Sequence, residues 1–174
     1  MTGPFGAENA ADDHARHEVA VLALPHVVAF ELGLPHRFLG GAVDTDGRPL
    51  YRVRTCTVGG GPVRTSAGYA VLPDHDASIL RTAATVVVPG IVGGPPVTEG
   101  RLDPGLVAAL ASRRSDARLV SICTGAYVLA AAGVLDGRPA QVVADSRDGD
   151  RAWLERYPEL REHYDAWVRQ PRGA

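Results

Sequence analysis

The sequence predicts an α/β three-layer domain built on a mainly parallel sheet. Three observations carry that expectation. Short, continuous apolar runs at 18–24, 85–88 and 118–122 have the pattern of strands covered on both faces. Each run ends at a Pro/Gly break or leads into a segment of helical character, so strand and helix alternate along the chain. A length of 174 residues with 45% hydrophobic side chains is enough for one buried core.

Taken in order, residues 1–16 lack apolar periodicity and read as a flexible leader. A first strand covers Glu18 to Leu24 and stops at Pro25. From Val27 to Val43, apolar positions at Val28, Leu32, Phe38 and Leu39 mark a helical segment, made irregular by Gly33 and Pro35. A second strand runs from Tyr51 to Val58 and closes at Gly59-Gly60-Gly61-Pro62. Val63 to Leu72, broken at Ser66-Ala67-Gly68, reads as a hairpin, and Asp74 to Ala83 as a short helix. Thr85-Val86-Val87-Val88 is a buried strand ended by Pro89-Gly90, followed by a Gly/Pro-rich loop from Ile91 to Gly100. Asp103 is placed to cap a helix to Arg114, with Pro104 at its first position. Arg118 to Ile122 is strand again, and Thr124 to Ala132 is a buried helix ended by Gly133. The polar stretch 145–151 and amphipathic segment 152–168 belong to a weakly apolar tail that covers an edge of the sheet.

Composition removes several classes of function. All eighteen basic residues are Arg, and against twenty acidic ones they leave a formal charge of −2, so no basic face for nucleic acid is advertised. Two cysteines, Cys56 and Cys123, make neither a disulfide framework nor a zinc site. No apolar run has the length to span a bilayer, and the N-terminus lacks the basic start and apolar stretch of a secretory signal. A soluble, cytoplasmic domain without metal or cofactor is expected.

The sharpest chemical feature is Ser121-Ile122-Cys123-Thr124-Gly125-Ala126, where a buried strand runs into a Cys, a small residue and Gly before a helix. That order is the geometry of a nucleophile elbow, with partial positive charge at the helix start favouring thiolate. On spacing alone, a buried structural Cys is the alternative. Glu31, among Val28, Ala29, Phe30 and Leu32, is either a half-buried carboxylate that hydrogen-bonds the Cys123 sulfur or a solvated residue on the outer helix face. The N–H groups of Gly90, Ile91 and Thr124 sit where α/β sheets place ligand contacts, as an anion pocket or as an ordinary turn. His26 and His36 flank the Glu31 segment, and Cys56, inside a strand, is most simply core.

Together these motifs resemble the ThiJ/PfpI family of the class I glutamine-amidotransferase-like superfamily. The resemblance runs over residues 17–140 and rests on 17–24, Phe30-Glu31-Leu32-Gly33, 60–68, Val86-Val87-Val88-Pro89-Gly90 and Ser121-Ile122-Cys123-Thr124-Gly125-Ala126. With the following 129–138, it is similar to the N-terminal domain of GlxA-type AraC-family transcription regulators. The resemblance implies a flavodoxin-like sandwich, with the family's reactive Cys at Cys123, its acidic partner at Glu31 and its backbone pocket at Gly90 and Thr124. Three departures stand out. Thr124 occupies the position where family peptidases carry His, which argues against a Cys-His protease. Ala140-Gln141-Val142-Val143 replaces the Thr-Thr-His-Trp usual in GlxA-type domains. The pattern returns at Arg156-Tyr157-Pro158-Glu159, and the chain then stops short of the family's last strand and helix, so 141–174 is read as a divergent tail.

The resemblance therefore implies a small-molecule-sensing regulatory domain, homodimeric, without the helix-turn-helix half and without DNA binding of its own. The alternative is a stand-alone cysteine-dependent enzyme such as an isonitrile hydratase, with a glyoxalase or deglycase-like activity further behind. In the hydratase Cys123 attacks the electrophilic carbon while Glu31 manages protons.

Overall fold

The computed structural model describes residues 16–136. Residues 1–15 of the leader read over 1–16, and everything read into the tail beyond Asp136, lie outside the described residues. Within them, the strands are β1 (His17–Leu22), β2 (Tyr51–Thr57), β3 (Val63–Arg64), β4 (Ala70–Val71), β5 (His75–Asp76), β6 (Thr85–Val88) and β7 (Arg118–Ser121). The helices are α1 (Ala29–Phe38), α2 (Pro95–Thr98), α3 (Pro104–Ala111) and α4 (Gly125–Ala131), with a 3-10 helix at Ala77–Arg81.

Five strands form one sheet in the order β5-β2-β1-β6-β7, and all four pairings are parallel. The register pairs His17 with Tyr51 and Leu22 with Cys56 on one side of β1, and Val19 with Thr85 and Val21 with Val87 on the other. β3 and β4 make a separate antiparallel hairpin. This is the α/β architecture with a mainly parallel sheet that the sequence predicts.

The apolar runs have no polar alternation because both sheet faces are covered. Ala20, Leu22, Val86 and Val88 point to one face, where the 3-10 helix, α3 and α4 contribute Leu80, Leu106, Leu110 and Val128. Val19, Val21 and Val87 point to the other, against Leu32 and Leu39 from α1 and its exit and Val63 and Val71 from the hairpin. The charges inside these strands are matched across the register. Glu18 takes Arg54 at 2.7 Å and Arg52 at 3.4 Å, all three side chains largely covered.

Four local expectations need correction. The helix expected over 74–83 is instead the short strand β5 followed by the 3-10 turn. The Asp76 side chain accepts from Ser78 N–H at 2.8 Å, which stops the strand and starts the turn. The loop expected from Ile91 to Gly100 contains α2, begun by Gly94 at φ 85° and by Pro95 at the first helical position. α1 is shorter than the expected 27–43, and Pro35 lies inside it. Phe38, expected on the buried face of that helix, is 70% exposed, whereas Leu32 is buried. α3 starts as expected, with Asp103 Oδ1 accepting from Leu106 N–H at 2.9 Å, and ends at Ala111, short of the expected Arg114.

Candidate functional site at the carboxyl ends of β6 and β7

Three chain segments meet where the parallel strands end. α1 follows β1 and carries Glu31; the turn after β6 carries Gly90 and Ile91; the turn after β7 carries Cys123 and Thr124. Ile122 N–H still donates to Val88 O at 3.0 Å, so the β6 and β7 turns leave the sheet side by side.

Cys123 has φ 51°, in the left-handed region that non-glycine residues avoid at a cost of about 1–2 kcal/mol. The strained residue lies between strand and helix, and its side chain is exposed. The turn closes through Gly125 N–H to Ile122 O at 2.9 Å and Ala126 N–H to Cys123 O at 3.2 Å. Gly125 is required by contact: a Cβ there would sit 2.1 Å from Val88 O and 3.0 Å from Pro89 O. α4 can begin against the end of β6 only because that atom is absent.

Glu31 is half-buried, not on a solvated outer face. Its Oε2 accepts from Gly90 N–H at 2.8 Å. Among the hydrogen bonds of the described residues, Glu31 is paired with Gly90 and not with the Cys123 sulfur. Thr124 and Ile91 are tied reciprocally: Ile91 N–H donates to Thr124 Oγ1 at 2.9 Å, and Thr124 Oγ1 donates to Ile91 O at 2.8 Å. The N–H groups of Gly90 and Ile91 are thus engaged by the protein's own side chains. A side chain at Gly90 would have its Cβ 2.5 Å from Glu31 Oε2 and 2.9 Å from Thr124 Oγ1, so glycine lets both side chains converge on one turn.

The five residues singled out from the sequence therefore gather where helix α1 meets the turns after β6 and β7, with Glu31 and Thr124 bracketing Gly90 and Cys123 beside Thr124. The other sulfur is elsewhere. Cys56 is buried in β2, and burial together with the nearby Asp76 carboxylate pushes its thiol up to about 12, against a smaller opposing effect of Arg54. It stays protonated and unreactive at neutral pH. His36 reaches away from the site, its Nε2 2.7 Å from Thr55 Oγ1, and loss of water around the ring lowers its pKa. Among the described residues no group of three His, Cys, Asp or Glu is placed to hold a metal ion.

One feature had only a weak signal in the sequence. A cavity of about 570 Å³ opens on the other side of Ile91, walled by Leu24, Val58, Pro62, Ile91 and Leu106, with His26 at its edge. Its walls come from four separate stretches of chain, which no local motif joins.

Residues 17–150 match the DJ-1/PfpI family. The chain belongs to that family. An uncharacterized protein in the cpoL 5'region of Streptomyces lividans is 43% identical to this DJ-1/PfpI chain over 93 residues, 52% of this chain and 62% of that protein. The HTH-type transcriptional regulator GlxA of Rhizobium meliloti is 36% identical over 92 residues, 53% of this chain and 28% of the regulator. The match thus spans less than two thirds of each of these relatives. The fold is that of an AraC family transcriptional regulator structure from Pseudomonas putida, at a TM-score of 0.59 and 20% identity over 82% of this chain and 73% of that one. Among the described residues no helix is long and apolar enough to cross a membrane.

Proposed function

We propose that this DJ-1/PfpI domain is a small-molecule-sensing regulatory domain of the GlxA/AraC type, working in the cytoplasm as a homodimer. The observation that carries the reading is the likeness to HTH-type transcriptional regulators at 33–36% identity. The geometry supports a binding role. Glu31 and Thr124 are locked onto the turn beneath Cys123, so the site is a rigid frame around one exposed thiol. A small molecule seated there would meet α1 and the two turns after β6 and β7. The formal charge of −2 supports no direct contact with DNA by this chain.

A second reading, favoured by the strained and exposed Cys123, is a cysteine-dependent isonitrile hydratase. The thiolate adds to the isonitrile carbon, water adds to the resulting thioimidate, and loss of the thiolate leaves the N-substituted formamide, with Glu31 carrying the proton. Thr124 in place of the peptidase His favours neither proteolysis nor a second base at that position.

Thermal melting of the full chain with a panel of amino acids, short carboxylates and simple aromatics, run beside cyclohexyl isonitrile turnover, separates the two. The sensor reading expects one chemical class to raise Tm saturably, with Glu31→Ala removing the effect and no turnover above Cys123→Ala. Turnover lost in Cys123→Ala, with no metabolite raising Tm, reverses the reading.

A further inference from the structure

The cavity beyond Ile91 is separate from the Cys123 turn; Cys123, Glu31, Gly90 and Thr124 are not among its walls. Its volume of about 570 Å³ falls within the range of about 300–1,000 Å³ that small organic ligands occupy. It lies where the chain leaves β1 and β2 and enters α3, against the loop that follows β6.

The polar side chains at this cavity decide what it accepts. Thr57 Oγ1 donates to Gly61 O at 2.9 Å. Asp103 Oδ1 is used to cap α3 through Leu106 N–H at 2.9 Å. Arg101 is neutralised by Glu99, through Nε at 2.9 Å and through Nη2. That leaves the His26 imidazole, an exposed side chain that lines the cavity and has no hydrogen-bond partner from the protein among the described residues. His26 is also held in a costly conformation. Its φ is 63°, and its backbone is clamped by N–H to Arg64 O at 2.7 Å and by Val92 N–H to its own O at 3.0 Å. Strain of this kind persists where the surroundings over-determine it, and here the clamp sets the ring at the edge of an apolar chamber.

We propose that this cavity is a second ligand site, distinct from the Cys123 turn, for a compact, uncharged, mainly apolar molecule whose single hydrogen-bonding group meets His26. The walls supply the apolar contact. The only Arg among its walls, Arg101, is already held by Glu99 at the surface, so a ligand carboxylate would have to displace Glu99 to use it. An uncharged ligand of the size and polarity of indole fits this description.

The test is a titration of the full-length chain with indole and, separately, with indole-3-acetate, followed in 1H–15N spectra. Indole is expected to move the amides of Gly59, Gly61, Gly93 and Gly94 saturably and to leave those of Cys123 and Thr124 in place. Indole-3-acetate is expected to bind about tenfold more weakly, since its charge loses water without gaining a partner. His26→Gly accepts the left-handed backbone and removes the ring, so it is expected to weaken indole by about threefold to tenfold, the worth of one hydrogen bond. Gly61 lines the cavity and a Cβ there meets nothing within 4 Å, so Gly61→Trp is expected to fill the chamber and abolish binding, with an unchanged Tm showing that the chain still folds. The absence of a saturable shift, equal binding by Gly61→Trp, or shifts centred on Cys123 would overturn the site. Tighter binding of indole-3-acetate would overturn the assignment to an uncharged ligand. None of these outcomes bears on whether a metabolite binds at the Cys123 turn.

Discussion

At the scale of single residues, the decisive feature is one dihedral angle. Cys123 sits at φ 51° between a strand and a helix, a conformation in which any Cβ costs energy. The order strand-Cys-Thr-Gly-helix marks that turn in the sequence, but it fits a buried structural Cys as well; the exposure of Cys123 in the structure decides between them. The Glu31 carboxylate was harder to place. Its neighbours said only that it was out of character for a buried helix, and both a solvated and a buried position fitted. The structure resolves this through a partner 59 residues away, the Gly90 N–H, which no local pattern encodes. If the strain at Cys123 is stored for function, removing the Cβ should release it. Chemical denaturation is expected to find Cys123→Gly more stable than Cys123→Ala by about 1 kcal/mol, and equal stability would mean that the turn is not strained.

At the scale of elements, hydrophobic runs spoke clearly and short connecting pieces did not. β1, β6 and β7 could be read directly because a strand covered on both faces has no polar alternation. The 74–83 segment failed because its two-residue strand is too short for any periodicity to register. Its ending depends on one Asp76 side chain turned onto Ser78 N–H. The helix expected to Val43 ends at Phe38 because the chain turns at Leu39-Gly40-Gly41, where Gly40 N–H closes back onto Pro35 O at 3.2 Å. The tightest junction between elements is Gly125, where α4 starts against the β6 carbonyls. Gly125→Ala places a methyl group 2.1 Å from Val88 O, against backbone that cannot yield cheaply. A loss of at least 2 kcal/mol of stability, or failure to fold, is expected in urea unfolding, with the neighbouring exposed Cys123 turn displaced. A neutral substitution would mean that helix and strand are not in contact there.

At the scale of the whole molecule, the parallel order β5-β2-β1-β6-β7 gathers the ends of separate strands along one edge. Two features share that edge, the Cys123 turn and the cavity, with Ile91 between them. Its backbone holds Thr124 and its side chain walls the cavity. Only the first was readable from sequence, since its residues fall into short motifs at strand ends. The cavity depends on loops from four stretches meeting in space. In open parallel α/β sheets ligands bind outside the carboxyl ends of the strands, which is where both features lie.

The central claim is that a small molecule is read at the Cys123 turn, and thiol protection tests it most directly. The native full-length chain is treated with iodoacetamide at neutral pH, with and without each metabolite that raises Tm, and the adducts are located by peptide mass. The account predicts alkylation at exposed Cys123 and none at Cys56, whose buried thiol is pushed up to about 12. It further predicts that a stabilising metabolite slows the Cys123 reaction in proportion to its occupancy. Alkylation of Cys56 in the folded chain, or a Cys123 rate that no stabilising metabolite changes at saturation, would contradict it.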